Sequence, residues 1–286
     1  MINFLKYTWL YVLISAIVIG SGLFSIFRWG YTYSIDFVGG TNLEYKFAKK
    51  ISESEAKSIF KFDKIELVDL NIKDQTLMVR TKAIDEKKEQ QLNKDLEKKF
   101  GKLTVLRSET VGATLGQETV IKTIIASLLG VVAILLYMSF AFKGVNAAFA
   151  AILAAIHDLM VIFGSYSLMS HFFGAQMDSL FVTAILTSMS LSVHDTIVVF
   201  DKIREYKGEE GGTIEYFANK ALTETMVRSL NNSMTIIFML LALVLLGGVT
   251  IKFFAATLLI GSITGTYSSP FIATPIFVWL EKRRKK

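Results

Sequence analysis

Residues 178–200 read DSLFVTAILTSMSLSVHDTIVVF and are followed directly by DKIRE. This stretch is apolar and long enough to cross a bilayer as a helix, which needs about 20 residues. Asp195, next to His194, lies inside it, near its C-terminal end. A carboxylate inside a membrane helix costs about 2.5 to 3.5 kcal/mol on insertion scales, so it is rarely found there without a partner or a task. The stretch therefore predicts a membrane protein with a proton or ion pathway at Asp195.

The rest of the chain fits a multi-pass membrane protein, because 52% of its 286 residues are hydrophobic and they are gathered in long runs. Six transmembrane helices are predicted, at 7–27, 123–142, 145–169, 178–200, 227–246 and 253–280. With no cysteine and only three histidines, the chain offers no disulfide framework and little for a metal cluster. We predict no metal site and no cofactor.

Basic residues in the short connections indicate the orientation. One alternate set of connections holds Lys6, Lys143, five basic residues in 202–228 and the tail KRRKK, whereas the other set holds only Lys252. By the positive-inside rule, both termini are predicted to be cytoplasmic. The first apolar run is too long for a cleaved signal peptide, so we expect it to stay as an anchor.

These patterns divide the chain into three parts. Residues 1–28 form the first transmembrane helix, 29–120 an extracytoplasmic domain, and 121–286 a five-helix transmembrane domain with a cytoplasmic loop at about 201–227. Within that loop, one helical face carries apolar residues, which predicts either a helix along the membrane surface or a plain connector. These residues are Ile214, Phe217, Ala218, Ala221 and Leu222.

The extracytoplasmic segment alternates between strand and helix patterns in the order βαββαβ over about 41–111. This order predicts a ferredoxin-like α+β domain, in which two helices cover one face of a four-stranded sheet. Its first helix opens with a capping box, Ser52 to Glu55. With 17 basic and 15 acidic residues over 28–120, the domain has no strong field of one sign. It is either an ordinary soluble domain or, as we favour, a surface that handles a polypeptide through its bare sheet face.

Glycine-bearing segments flank this domain. SIDFVGGT contains Gly39 and Gly40, and ETVGATLGQE covers 109–118. Glycines in such places predict tight turns or hinges, and the alternative is an ordinary linker.

Five motifs together resemble the SecF family of protein-export membrane subunits, within the SecD/SecF family of the resistance-nodulation-division superfamily. They are SIDFVGGT, ETVGATLG, HDLMVIFGSY, HDTIVVFDKIRE and GTYSSPFIATP, and they follow one another in the family's order over nearly the whole chain. Where the family usually has proline after Val-Gly, this chain has Ala113. His194 replaces the usual Asn before the acid, and 189–192 read Met-Ser-Leu-Ser where Gly-Tyr-Ser is typical.

The resemblance implies a location in the bacterial or archaeal-type cytoplasmic membrane and use of the proton-motive force to complete export. It also implies a partner subunit SecD, association with the SecYEG channel and often YajC, and a preprotein substrate. Membrane lipid and protons are the other expected partners; no nucleic acid is expected, and no enzyme activity.

The resemblance also carries over Asp195 and Arg228 as a proton-transport pair, because they match the family acid in DTIVVFD and the arginine in RSLNNS. Movement of Arg228 toward or away from Asp195 would change the proton affinity of the carboxylate. The alternative is a static ion pair that fixes helix packing.

Asp158, beside His157 near the middle of the third span, is the most deeply placed charge. Neighbours on a helix point about 100° apart, so we expect one of the two to face the bundle and the other to contact a different helix. The pair has two interpretations, a role in a proton relay and a structural role in helix packing.

Other polar and small residues in the last two spans have packing or path-lining interpretations. Asn231, Asn232 and Ser233 are polar support for helix packing or a water-lined path. Gly261 and Gly265, with Ser269, form a small-residue stripe, and Pro270 and Pro275 beyond it predict a kink that offers a pivot.

Three other functions are alternatives. A passive assembly scaffold for the translocase would use the charges only for packing. A small-molecule proton antiporter half would normally carry a larger outside domain. A membrane metalloenzyme would need His157, Asp158, His194 and Asp195 as ligands, but the chain has no HExxH motif.

Overall fold

The computed structural model describes residues 2–73, 75–142, 144–208 and 211–284. The chain forms two compact units: a helical unit, Met1–Thr32 with Ile125–Lys286, and a sheet unit, Tyr33–Ile124. Lys143 and residues 285–286, which contribute to the predicted orientation, lie outside the described residues.

The elements follow in chain order. The helices are α1 (Thr8–Trp29), α2 (Ile35–Val38), α3 (Glu53–Phe62), α4 (Glu86–Phe100), α5 (Ala113–Ala141), α6 (Val145–Phe173), α7 (Ser179–Lys207), α8 (Ile214–Leu246), α9 (Val249–Ser268) and α10 (Thr274–Arg284). The strands are β1 (Thr32–Tyr33), β2 (Gly40–Phe47), β3 (Leu67–Lys73), β4 (Thr76–Thr81), β5 (Leu103–Val111) and β6 (Gln176–Met177). A 3-10 turn, Phe4–Tyr7, precedes α1, and a π-helical turn, Ser269–Ala273, joins α9 to α10.

Within the described residues, five helices are long and apolar enough to span a membrane: Phe4–Trp29, Ala113–Met138, Val145–Phe173, Ser179–Lys207 and Ile214–Leu246. Each overlaps one of the first five predicted spans. The sixth predicted span, 253–280, coincides with α9, the π-helical turn and α10, a helical run whose regular hydrogen bonding is interrupted in the middle. The chain is therefore a helical membrane protein with five candidate spans among its described residues.

The predicted surface helix and the fifth predicted span belong to one continuous helix. Instead of a separate surface helix followed by a span from about 227, one helix runs from Ile214 to Leu246. At 1.5 Å per residue it is about 50 Å long, which exceeds the hydrocarbon core of about 30 Å. The five apolar residues assigned to the surface helix are all buried, in one cluster with Phe200 and Ile203 of α7. They pack against protein and not against the membrane surface; the cytoplasmic location of 201–227 stays a prediction.

Helix α1 lies against α6 at a crossing of two glycines that the sequence reasoning did not single out. A Cβ added at Gly22 would lie 2.7 Å from the Cα of Gly164, and one added at Gly164 would lie 2.5 Å from the Cα of Gly22. The backbones are therefore in direct contact, as small residues allow in membrane helices. Next to the crossing, the hydroxyls of Ser25 and Ser167 share a hydrogen bond of 2.8 Å.

The sheet unit contains a four-stranded antiparallel sheet in the order β3-β4-β2-β5, in which β2 is a central strand. Alternate residues of β2 point to the side of the helices, where Leu43, Tyr45 and Phe47 are buried with Phe60 of α3 and Leu92 of α4. The element order βαββαβ expected from the alternating pattern is found. The predicted capping box is wrong in detail, because the Ser52 hydroxyl bonds to the Ser54 hydroxyl and makes no cap hydrogen bond.

Gly39 and Gly40 form a tight turn before β2. Both have positive φ, 74° and 132°, and a Cβ on Gly40 would lie 2.7 Å from the carbonyl oxygen of Thr81. A Cβ on Gly39 would lie 2.8 Å from the Cα of Ala113, at the start of α5. The turn prediction fits this geometry, and a hinge role stays a prediction. In 109–118, only Gly112 separates the end of β5 at Val111 from the start of α5 at Ala113, which fits the predicted tight turn and not the alternative of an ordinary linker.

Candidate functional site

Asp158 lies in the middle of α6 and is only 2% exposed. Its Oδ2 accepts hydrogen bonds from the hydroxyl of Ser268 at 2.7 Å and from the hydroxyl of Ser192. Its Oδ1 lies 2.9 Å from Nδ1 of His157. Three helices, α6, α7 and α9, therefore meet at this carboxylate, as expected for a buried polar group that must find partners inside the protein.

His157 joins the same network instead of facing elsewhere. Its Nε2 lies 2.9 Å from the hydroxyl of Ser15 in α1, and the ring is 7% exposed. The Ser15 hydroxyl is 3.5 Å from the hydroxyl of Tyr267, which donates to the carbonyl of Tyr11 at 2.8 Å. As expected, one of the two side chains contacts a different helix, since His157 meets α1 while Asp158 meets α7 and α9, although they also bond to each other. Adjacent side chains that point apart can still meet when one, here the imidazole, bends back over the other.

Asp195 lies on α7 one helical turn beyond Ser192, and it is partly buried. Its Oδ2 accepts a hydrogen bond of 3.1 Å from the hydroxyl of Ser229 in α8. The carboxylate lines a cavity of about 20 Å³ between α7, α8 and α9. Such a cavity holds about one water molecule. The polar residues around it are Ser192, His194, Asn232, Ser233, Ser262 and Thr266.

Arg228 does not form the predicted contact with Asp195. The ion pairs within the described parts of the chain do not include Arg228, and its side chain is exposed. The residue that reaches Asp195 is its neighbour Ser229, which points about 100° away around α8. The joint role of Asp195 and Arg228 in proton transfer stays a prediction.

The other predicted polar residues divide between the cavity and the surface of α8. Asn231 is exposed, whereas Asn232 is exposed but borders the cavity. Ser233 is buried and accepts a hydrogen bond of 2.7 Å from Thr266 of α9. His194 also borders the cavity and is exposed. Ser233 therefore connects two helices, which is the packing role expected for such residues in membranes.

The small-residue stripe on α9 is what brings α9 and α7 together. A Cβ added at Gly261 would lie 2.1 Å from the hydroxyl oxygen of Ser188, and one added at Gly265 would lie 2.9 Å from the Cβ of Ser192. Any side chain at these two positions would push the helices apart. The structure supports the predicted packing role of both glycines.

The predicted kink at the two prolines takes the form of a π-helical turn. Pro270 has no N–H to donate to the preceding turn, and the N–H of Thr274 instead bonds to the carbonyl of Ser269, five residues back. The turn places the Ser269 hydroxyl 2.8 Å from the hydroxyl of Thr196 on α7. Pro275 is the second residue of α10. Whether the turn acts as a pivot stays a prediction.

Four hydroxyl residues complete the network, and the sequence reasoning did not assign them a role: Ser15, Ser192, Ser229 and Ser268. The available signal was small polar residues inside apolar spans, but such residues are common in membrane helices and do not reveal their partners. Ser192 belongs to the segment 189–192, whose sequence differs from the Gly-Tyr-Ser that is typical at this place.

The structure does not bring the four residues of the metalloenzyme hypothesis together. Among the described residues, no group of three or more His, Asp or Glu side chains is placed to hold a metal ion. His157 and Asp158 are bonded to each other and to serines, while His194 is exposed. They do not form the ligand set that this hypothesis needs.

Comparison with known proteins places the whole chain in one family. Residues 91–283 match the family described as "Protein export membrane protein SecD/SecF, C-terminal". Protein translocase subunit SecF of Anaerolinea thermophila is 37% identical, over 98% of this chain and 94% of the relative. The SecF subunits of Thermobaculum terrenum and Sebaldella termitidis are 36% and 34% identical, over 99% and 96% of this chain and 95% and 90% of the relatives.

Two solved structures have a similar fold. The crystal structure of SecDF from Thermus thermophilus, titled a translocon-associated membrane protein, superposes with a TM-score of 0.85 at 28% identity. A crystal structure of SecDF in a super-membrane-facing form superposes with a TM-score of 0.64 at 27% identity. Each comparison covers 99% of this chain but only 39% of the SecDF chain, so this chain spans well under half of those proteins. With a matching family over two thirds of its residues and SecF relatives over nearly its full length, the chain belongs to the SecD/SecF family of protein-export membrane proteins, as a SecF-type translocase subunit.

Proposed function

We propose that this protein promotes late steps of preprotein export by coupling them to proton movement across the cytoplasmic membrane. Its relatives are named translocase subunits, and a solved relative is described as translocon-associated. In this proposal α9, the π-helical turn and α10 form a sixth span, and both termini are cytoplasmic. Each charge that crosses 100 mV supplies about 2.3 kcal/mol, enough to bias a two-state domain.

The observation that carries the proposal is that Ser192 contacts one carboxylate, Asp158, and borders a cavity lined by the other, Asp195. The Ser192 hydroxyl donates to Asp158. Hydroxyl groups both donate and accept, so a serine between a carboxylate and a water-sized cavity can pass a proton from one side to the other. In this arrangement Asp195 exchanges protons through the cavity. Asp158 and His157 together form the second proton-binding site.

Arg228 acts as the second member of the coupling pair. In this structure Ser229 occupies the side of α8 that meets Asp195, and Arg228 is exposed. A rotation of α8, or a change in the Arg228 side chain, brings the guanidinium toward the carboxylate. The ionised carboxylate is then favoured and the proton is released. Alternation between Ser229 and Arg228 as the partner of Asp195 provides the two states that coupling requires.

The exposed polar residues of α8 support a partner chain in the membrane. Arg228 and Asn231 lie one turn apart on a helix whose other exposed residues are mainly apolar. Polar groups on a membrane helix are costly when they face lipid, so this surface is suited to a partner helix. We assign that place to SecD, because the related solved chains are SecDF proteins. SecYEG and YajC would be further partners.

The sheet unit is the part that meets the preprotein in this proposal. We take it to be a ferredoxin-like domain, and the strand order β3-β4-β2-β5 with α3 and α4 on one side supports this. On the other side β2 shows Asn42, Glu44 and Lys46, which are half-buried or exposed. That face and the sheet edges are open to an added polypeptide strand.

Proton flux through the protein, reconstituted with its SecD partner, tests the coupling role. With a pH-sensitive dye inside liposomes and an imposed membrane potential, Asp195→Asn is expected to abolish the flux carried by the parent. Glu205→Gln, which changes an exposed carboxylate on the same helix, is the matched control and should leave the flux unchanged. Undiminished flux in Asp195→Asn, with the protein inserted and bound to its partner, would disprove the proposal.

A passive scaffold is the second candidate, and the full set of hydrogen bonds at Asp158 favours it. A carboxylate tied to His157, Ser192 and Ser268 connects three helices whether or not protons move. A scaffold predicts that Asp195→Asn and Asp158→Asn change assembly or stability while the rate of export per assembled complex is unchanged. Export assays normalised to the amount of assembled complex separate the two candidates.

A further inference from the structure

A second cavity lies in the helical unit, away from Asp195. Its volume is about 110 Å³, and it is formed where the end of α5 and the beginning of α6 meet the ends of α7 and α10. An apolar cavity of about 150 Å³ holds a benzene molecule, so this one has room for several methylene groups. It does not overlap the network of Asp158 or the cavity at Asp195.

The inner part of the cavity is apolar and rigid. Phe142, Phe200 and Phe277 line it, each at most 8% exposed. The rings of Phe142 and Phe200 have centroids 5.5 Å apart, and those of Phe200 and Phe277 4.9 Å apart. Such aromatic pairs hold one another in place. The space is therefore preformed and would take an apolar group without rearrangement.

The outer part of the cavity is charged, with an excess of cations. Arg204, Lys207 and Arg284 line it together with Asp201 and Glu281. Arg204 is ion-paired with Asp201 and Lys207 with Glu281. Arg284 also interacts electrostatically with Glu281, so three cations share two carboxylates and the lining carries one excess positive charge.

The charged and apolar parts follow one another along the helix axes. On α7, Ile197 precedes Lys207 by about 15 Å, and on α10, Phe277 precedes Arg284 by about 10 Å, at 1.5 Å per residue. On both helices the basic residues lie nearer the helix end than the phenylalanine, so the charged part of the cavity lies beyond its apolar part.

We infer that this cavity binds one anionic phospholipid, with its phosphate at Arg204 and Arg284 and the upper part of one acyl chain against the three phenylalanines. The occupant must be negatively charged at one end and apolar at the other, and the two ends must be separated along the membrane normal. A phospholipid of the surrounding membrane has this chemistry, and basic pockets between membrane helices bind such headgroups. The bound lipid would join α5 and α6 to α7 and α10.

Native mass spectrometry of the full chain in a neutral detergent, titrated with phosphatidylglycerol or phosphatidylcholine, tests this inference. Phosphatidylglycerol is expected to bind at least about tenfold more tightly than phosphatidylcholine. The double variant Arg204→Gln with Arg284→Gln should lose this preference, because each basic residue near a headgroup contributes to the affinity. Lys6→Gln with Arg283→Gln, which removes two charges outside the cavity, should keep it.

Two cavity-filling variants test the acyl-chain part without a change of charge. Ala147 and Ala141 both line the cavity, and Ala147→Leu or Ala141→Leu should weaken phosphatidylglycerol binding at unchanged thermal stability. Equal binding of the two lipids, an unchanged preference in the Arg204 and Arg284 double variant, or full binding in both leucine variants would overturn the inference. Displacement of the lipid by millimolar inorganic phosphate would also overturn it, because the site would then bind a free anion. None of these results depends on translocation activity.

Discussion

The hydroxyl of Ser192 donates a hydrogen bond to Asp158, while the hydroxyl of Ser188, one turn earlier on the same helix, is buried without a hydrogen-bond partner among the described residues. Both serines face α9, where Gly265 lies against Ser192 and Gly261 against Ser188. The two positions therefore share their helix, burial and neighbour, and differ in whether the hydroxyl has an acceptor. This contrast separates the energy of the hydrogen bond from that of helix packing.

Ser192→Ala is expected to lower the free energy of unfolding by about 1 to 2 kcal/mol, because a hydrogen bond to a buried carboxylate is lost. Ser188→Ala removes a hydroxyl without a partner, so it should cost nothing or stabilise slightly. Both values are measured by denaturation in mixed detergent micelles. The interpretation fails if Ser188→Ala is as destabilising as Ser192→Ala.

Gly261→Ala is expected to destabilise the helical unit by about 1 to 3 kcal/mol, because its methyl group overlaps Ser188 and must separate α9 from α7. Gly20→Ala is the control, since a Cβ at Gly20 has no atom within 4 Å. Combining Gly261→Ala with Ser188→Gly should recover part of the loss in a double-mutant cycle. Additive effects of the two changes would show that the contact is not the cause.

The sequence was sufficient for features that depend on one segment at a time. The first five spans were found because their apolar runs are long, and the strands and helices over 41–111 because their patterns have different periods. The start of α8 could not be found in the same way. An apolar helical face from Ile214 to Leu222 is the same pattern whether it faces lipid or protein, and only the packing against Phe200 decides between them.

The contacts of the candidate site depend on how helices are rotated relative to one another. The sequence placed Asp195 and Arg228 on adjacent helices, but Ser229, about 100° away from Arg228, is the residue that faces the carboxylate. Likewise, Pro270 predicted a break in the helix without indicating a π-helical turn. That turn, together with the close approach at Gly265, brings Ser268 to Asp158 and Ser269 to Thr196.

In the sheet unit, the stability is expected to depend on pH through Asp63. Burial raises the pKa of the Asp63 carboxyl above its usual value of 3.8, and the charge and hydrogen bond of Asp95 raise it further. An acid with a raised pKa in the folded state holds its proton more tightly there than in the unfolded chain. Its favourable contribution is present at low pH and is lost as the pH rises from about 3.8 through the raised value.

Asp63→Asn removes this titration, so the variant should be more stable than the parent at neutral pH and should show a flatter dependence in the mildly acidic range. Hydrogen exchange of the β2 and β4 amides, corrected for the intrinsic rate at each pH, measures it in the full chain. Asp69→Asn, an exposed carboxylate on β3, should follow the parent. A parent whose protection does not fall between acidic and neutral pH contradicts the prediction.

The two intramembrane carboxylates are expected to differ in what they contribute to stability. Asp158→Ala leaves His157, Ser192 and Ser268 buried without their acceptor, and each such group costs about 1 to 3 kcal/mol. Asp195→Ala leaves only the Ser229 hydroxyl, beside a cavity that holds about one water molecule. Unfolding in mixed micelles should therefore show a loss of several kcal/mol for Asp158→Ala and at most about 1 kcal/mol for Asp195→Ala. If the two losses are equal, Asp158 is not the centre of the helix contacts. If Asp195→Ala is the more damaging, its carboxylate has a structural partner that this arrangement does not include, and a coupling role for it becomes harder to separate from packing.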